Sequence, residues 1–273
     1  MGDWIAFWDS DHRIYVSACH RDVHFRTIAE DIARYVPAPA ATILDYGCGE
    51  ALYADRIAAK AQRLILVEAA PTVRAKLMTR FSPEGRIDVK APEELAAVPD
   101  RSIDLAIVNS VTQYLTRPEL DELMASFCRL LRPTGLFLIG DVIPPHVSAA
   151  KDALALLRFA ALHGFVLAAV GGLLATIVSD YWRLRSRLGL SRYSEAEMIE
   201  RLAAAGFSAR RAATNIGHNQ ARMTFLAQPC RRLDRRSGTI SLMCGHFLPL
   251  GADLPACRRD LRSIGAGAAF LLG

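Results

Sequence analysis

Ile43-Leu44-Asp45-Tyr46-Gly47-Cys48-Gly49-Glu50-Ala51-Leu52 is the stretch that decides the fold. A short apolar run that ends in an acid and meets two glycines one residue apart reads as a buried strand turning tightly into a helix. Without a Cβ at positions 47 and 49, a ligand can lie against bare backbone, facing the amide N–H groups of the helix that follows. Turns of this kind bind nucleotide-like molecules outside the carboxyl ends of strands in open α/β sheets. The dinucleotide fingerprint needs a third small residue where Leu52 stands, which argues against a pyrophosphate cofactor. The next apolar run, Arg63 to Val67, closes on Glu68, 23 residues after Asp45. A carboxylate there can accept both hydroxyls of an unphosphorylated ribose, and by itself would suit NAD equally well.

Working outward, the elements alternate. A helix is predicted over residues 52–61, a strand over 63–68, a helix over 72–80 with Pro71 at its start, and a short strand over 87–89. A fourth strand covers 104–110, and an amphipathic helix over 118–131 carries Leu120, Leu123, Phe127, Leu130 and Leu131 on one side. A fifth strand covers 136–143; after the insertion discussed below come a helix opened by Tyr193-Ser194-Glu195 and two last strands at 208–215 and 223–227.

Asp-x-Gly-x-Gly after an apolar strand resembles motif I of class I S-adenosylmethionine-dependent methyltransferases, and the order of elements over roughly residues 40–229 resembles the same family. The resemblance implies an α/β fold: a Rossmann-like, seven-stranded, mostly parallel sheet with helices on both faces, its last strand antiparallel. It implies S-adenosylmethionine as cofactor, held by Asp45, Gly47, Cys48, Gly49, Glu68 and Ala69, with Asn109 beside the sulfonium and Pro92 and Glu93 at the adenine. There the sequence departs from the family, since Ala91 stands where an Asp is usual. Gln113 and Tyr114 fall where the acceptor would meet the methyl, and Tyr114 and His24 are the candidate catalytic residues. His146, His218 and Asp141 are further candidates for a general base, needed only if the acceptor arrives protonated.

Five regions follow: an N-terminal flap (1–39), the cofactor-binding core (40–147), an apolar helical cap insertion (148–192), a closing helix and β-hairpin (193–229), and a basic, poorly ordered tail (230–273). The flap is dense in aromatics (Trp4, Phe7, Trp8, Tyr15, Phe25, Tyr35), with helical periodicity from about Val23 until Pro37 stops it. Tyr15, His20 and His24 are its candidates to line the pocket. In the insertion, Phe159 to Ser179 is 21 residues without a formal charge, about 30 Å if wholly helical. A single crossing would place the closing strands on the far side of a membrane from the sheet they must join. Three readings stay open: a buried cap over the site, a helical hairpin broken at Gly171-Gly172, and a lipid-facing element. Arg183, Arg185, Arg187 and Arg192 follow the segment, so contact with an anionic membrane surface through residues 153–192 is an expectation.

The formal charge of +5 does not point to nucleic acid, because seven Arg against three Asp put +4 of it in residues 230–273. Six cysteines without a Cys-x-x-Cys pair argue against a disulfide framework, and Cys244-x-His246 is too sparse for zinc, so no metal is expected. The N-terminus shows no secretory signal. The expected protein is a cytoplasmic enzyme, peripheral at the membrane, methylating O, N or C of a small lipophilic or membrane-held acceptor. The alternative is a catalytically silent protein of the same fold that docks through residues 153–179.

Overall fold

The computed structural model describes residues 2–10, 15–81, 85–176 and 180–230; the expected disordered tail lies outside them from residue 231 onward. Five parallel strands form the centre: β1 (Thr42–Tyr46), β2 (Arg63–Val67), β3 (Ile87–Lys90), β4 (Ile103–Asn109) and β5 (Leu131–Val142). The chain closes with β6 (Phe207–Arg211) and β7 (Met223–Pro229), giving the order β3-β2-β1-β4-β5-β7-β6 with β7 antiparallel to both neighbours. Near-continuous apolar runs such as Leu64-Ile65-Leu66-Val67 suit strands covered on both faces. One apolar layer on the sheet includes Phe127, Phe137, Leu202 and Phe225, and the other includes Ile32, Ile57, Leu66 and Leu138.

The chain builds outward from β1 to β3, then returns to lay β4 on the other side of β1. That reversal opens a crevice at the carboxyl ends of β1 and β4, the place where such sheets bind ligands. The helices are α1 (Gly2–Asp9), α2 (Ala18–Ile32), α3 (Ala54–Ala58), α4 (Pro71–Arg80), α5 (Arg117–Leu130), α6 (Ala149–His163), α7 (Val166–Thr176), α8 (Asp180–Leu188) and α9 (Glu195–Ala204). Local chemistry sets several of their starts. Thr116 and Glu119 close a capping box on α5, and the Ser148 and Ser194 hydroxyls accept from the third residue of α6 and α9.

Three expectations change. The helix after the glycine turn is one short turn, α3, rather than ten residues, because Cys48 to Tyr53 is spent in the turn itself. The strand begun at Phe207 stops at Arg211, after which Asn215 to Gln220 fold into a side-chain-bonded loop. The apolar insertion is broken at Gly164, which adopts a left-handed φ of 78° at the end of α6, whereas Gly171 and Gly172 lie inside α7. Gly172 is small for a packing reason: a Cβ there would overlap the Val16 side chain. Among the described residues no helix is long and apolar enough to cross a membrane.

The insertion packs on α2. Phe159, Ala160, Phe165 and Ala169 bury against Val23. A polar tie reinforces it: Asp152 on α6 accepts from Asn219 Nδ2 at 2.8 Å and faces Arg222 at 3.2 Å. Asp152→Ala should therefore raise amide hydrogen exchange in α6 and α7 while leaving the central strands protected. Unchanged exchange in those two helices would show that the polar tie holds nothing down.

Candidate functional site

The glycine turn is the floor. Gly47 and Gly49 both take positive φ, 70° and 57°, a region costing an L-residue roughly 1–2 kcal/mol. At Gly47 a Cβ would also overlap Val111 Cγ2, whereas at Gly49 it would point into open space. Gly47 N–H donates to Val67 O at 2.8 Å, stitching the turn to the end of β2. Glu68 completes the stitch: its Oε2 accepts from Gly49 N and its Oε1 from Ala70 N, each at 2.8 Å. Burial raises the Glu68 pKa, and the amides of Ala70 and Gly49 oppose that rise. A carboxylate offers about four lone-pair sites, more than these backbone amides occupy. Asp45 differs. No side-chain hydrogen bond reaches its carboxyl among the described residues, and burial, with the Glu68 charge second, pushes its pKa up to about 7.

Above this floor lies a cavity of about 920 Å³, at the upper end of the roughly 300–1,000 Å³ common for small-molecule sites. Its floor runs across the sheet from Glu68 after β2, past Asp45 on β1 and Asn109 and Ser110 at the end of β4, to Asp141 on β5. Helix α1 roofs one side, with the Trp4 and Trp8 rings 4.7 and 5.6 Å from that of Tyr114. That short helix is tied at both ends. Asp9 accepts from Thr72 N (2.6 Å) at the start of α4, and Asp3 pairs with Arg187 (2.9 Å) on α8. On α2, Arg21 pairs with Glu50 of the glycine turn at 2.5 Å.

The far end carries strain and charge. Ser110 (φ 59°) and Asp141 (φ 61°) both hold left-handed backbone at adjoining strand tips, a condition costing of order 1–3 kcal/mol and commonest at functional sites. Ser110 Oγ donates to Asp141 Oδ2 at 2.8 Å, and Arg222 Nη1 donates to the same oxygen at 2.6 Å. His20, His24 and His218 line the same end with Tyr15. Burial, reinforced by neighbouring histidines, lowers His20 to about 4 and His24 to about 3; burial lowers His218 as well. All three are neutral at physiological pH.

The structure thus brings Asp45, Gly47, Cys48, Gly49, Glu68, Ala69, Asn109, Tyr114 and His24 to one cavity. Pro92 and Glu93 are not among its lining residues. They sit in a 3-10 turn, Pro92–Ala97, closed by Glu94 accepting from Ala91 N at 2.6 Å. His146 is exposed and also off the cavity. Asn109 Oδ1 is buried without a hydrogen-bond partner, and it explains Gly140 on the neighbouring strand, where a Cβ would collide with it. The sequence reading missed Ser110 and Arg222. Only the polar end of the 104–110 strand, where Ser110 stands, hinted at either.

Residues 44–139 match the profile of a family described as a methyltransferase domain. No curated protein matches the sequence. Among solved structures, the fold is similar to a chain of the Haloferax volcanii complex that contains the Trm112 methyltransferase activator, with a TM-score of 0.54 and 15% identity over 82% of this chain and 97% of that one. DhpI in its SAH complex gives 0.52 and 13%, over 82% and 94%. The pyocyanin biosynthetic protein PhzM gives 0.50 and 13%, over 75% of this chain and 55% of that one.

The raised Asp45 pKa has a stability consequence. Unfolded, the carboxyl ionises near 3.9; folded, near 7, so the native state binds the extra proton in between and loses stability as pH rises through that window. Asp45→Asn should raise the melting temperature at pH 8 and not at pH 4, as read by calorimetry. An equal effect at both pH values would rule out a buried-charge cost.

Proposed function

We propose that this chain, whose residues 44–139 match the profile of a methyltransferase domain, is a class I S-adenosylmethionine-dependent enzyme that methylates an oxygen, nitrogen or carbon of a small lipophilic acceptor at the surface of a membrane. The observation that carries this reading is one cavity with two chemistries: carboxylates and bare backbone over β1 and β2, and aromatic and aliphatic walls toward the insertion. The first end suits S-adenosylmethionine. Asp45 is a carboxyl that no hydrogen bond reaches among the described residues, beside a Cβ-free turn and matched to a cationic methionine head, and the Glu68 carboxylate matches a ribose diol. The bound cofactor supplies an electrophilic methyl on a positively charged sulfur.

The protein's share is holding and desolvating. Asp45 and Glu68 hold the methionine head and the ribose of the cofactor, and Asn109 lines the cavity at the β4 tip. Trp4 and Trp8 pack on Tyr114 to keep water from the reacting centre, where orientation and low polarity provide most of the acceleration. Tyr114 and His24 are the residues in the acceptor's reach. A histidine held near 3 is a poor proton acceptor at neutral pH, so His24 serves as a neutral hydrogen-bonding group.

The membrane contact rests on α6 and α7. Leu167, Val170 and Leu174 fall on one stripe of α7, with Leu167 90% and Leu174 66% exposed, and Leu162 on α6 is 76% exposed. The basic helix α8 follows in the chain, its Arg187 paired with Asp3, and its positive charge supports a peripheral contact with anionic lipid from the cytoplasmic side.

Two measurements test these statements. In calorimetric titration, S-adenosylmethionine should bind more tightly at pH 8 than at pH 6, because Asp45 must be ionised to meet a cation; Asp45→Asn should flatten that dependence and Glu68→Ala should cost tenfold or more. Affinity indifferent to both changes would place the cofactor elsewhere. In sedimentation with phosphatidylserine vesicles, the protein should pellet and the Leu167→Asp, Leu174→Asp double variant should stay in solution. Equal pelleting of the two would remove the membrane contact from the account.

A further inference from the structure

The end of the cavity between α2, α6 and the β6–β7 loop is built from three imidazoles. Ring centroids are 5.9 Å apart for His20 and His24, 6.4 Å for His20 and His218, and 6.1 Å for His24 and His218. Aromatic packing fixes two of them. His218 stacks on Phe159 at 4.5 Å and 17°, and His20 on Phe165 at 5.2 Å and 23°. The Tyr15 ring lies 5.6 Å from that of His20 and 5.5 Å from that of His24. His20 Nδ1 accepts from Val16 N at 3.3 Å, which puts its proton on Nε2 and makes that nitrogen a donor. His24 Nδ1 is buried with no partner.

What this end can recognise follows by elimination. A metal is excluded on geometry, since no group of three His, Cys, Asp or Glu side chains among the described residues is placed to hold one. An anion gains little, because Arg222 is already shared between Asp141 and Asp152, and Arg21, whose charge acts on Tyr15, is paired with Glu50. An ammonium would meet at least one imidazole N–H donor and sit over Arg222. A neutral hydroxyl is the complement: it donates one hydrogen bond and accepts others, and neutral imidazoles offer both functions. The walls of Phe25, Tyr15 and Leu156, all lining the cavity, favour a flat apolar body behind it.

We propose that the His20–His24–His218 end of the cavity is the acceptor subsite and takes the uncharged hydroxyl of a flat, ring-bearing apolar molecule of the phenol class. This deepens the methyltransferase reading and rests on it for the word acceptor. The hydroxyl is a recognition handle. Sites that hydrogen-bond a substrate OH reject analogues lacking it strongly, because their own polar groups are left unpaired.

The probes are 2-naphthol, 2-methoxynaphthalene and 2-naphthoate, titrated into the protein saturated with S-adenosylhomocysteine and followed by fluorescence. The expected result is naphthol at least tenfold tighter than either other probe, equivalent to about 1.4 kcal/mol. His218→Phe, which keeps the stack on Phe159, should remove that preference and leave S-adenosylhomocysteine affinity unchanged. As a check independent of variants, imidazole nitrogen resonances of the wild-type protein should move with naphthol and not with the methoxy compound. Naphthoate binding tightest, three equal affinities, or unmoved imidazole resonances would overturn the proposal. Absence of S-adenosylhomocysteine binding would instead defeat the cofactor reading, since naphthol can be titrated without it.

Discussion

The Glu68 carboxylate, shared between the Gly49 and Ala70 amides, is the interaction on which the rest of the site depends. It couples the turn after β1 to the turn after β2, and so fixes the shape of the crevice that the strand order opens. Because both oxygens are engaged by backbone, the side chain cannot swing aside, and its remaining lone pairs point where the fold directs them. Charge-assisted hydrogen bonds of this kind are among the stronger ones available to a protein. Burial, with the charge of this carboxylate second, raises the Asp45 pKa, so two acids are kept close in a poorly solvated place at a cost in stability.

From that corner the cavity extends along the strand tips toward β5 and the β6–β7 loop, and its character changes on the way. Strain appears at Ser110 and Asp141, whose left-handed backbones are held by a hydrogen bond to each other and by Arg222. Arg222 in turn reaches Asp152 on α6, so the insertion and the strand tips share one polar network. The insertion is therefore part of the cavity's construction rather than an appendage. Its inner side, with Phe159 and Leu156, faces the histidines, while Leu162, Leu167 and Leu174 remain turned to the outside.

How far the sequence led depends on the range of the interaction concerned. Strands such as Leu64 to Val67 were legible because parallel strands buried on both faces leave uninterrupted apolar runs, and the glycine turn was legible because only Gly tolerates positive φ at 47 and 49 at little cost. The break in the insertion was not. Gly171-Gly172 is the louder signal on paper, but the chain breaks at Gly164 because Phe159 and Phe165 on its two sides both pack near Val23. Arg222 could not be found either, since its partners Asp141 and Asp152 lie about 80 and 70 residues away in sequence. Pro92 and Glu93 failed to reach the cavity for a local reason, the bond from Glu94 to Ala91 N that curls the segment into its own turn.

The central claim is that the turn at Gly47–Gly49 and the two acids form a single nucleoside-binding corner. A crystal structure of the full chain with S-adenosylhomocysteine tests it most directly. Ligand density is expected over Gly47 and Gly49, with both ribose hydroxyls within hydrogen-bond distance of Glu68 and the amino-acid end beside Asp45. Ligand bound away from these residues, or a cavity that stays empty at saturating ligand, would contradict it.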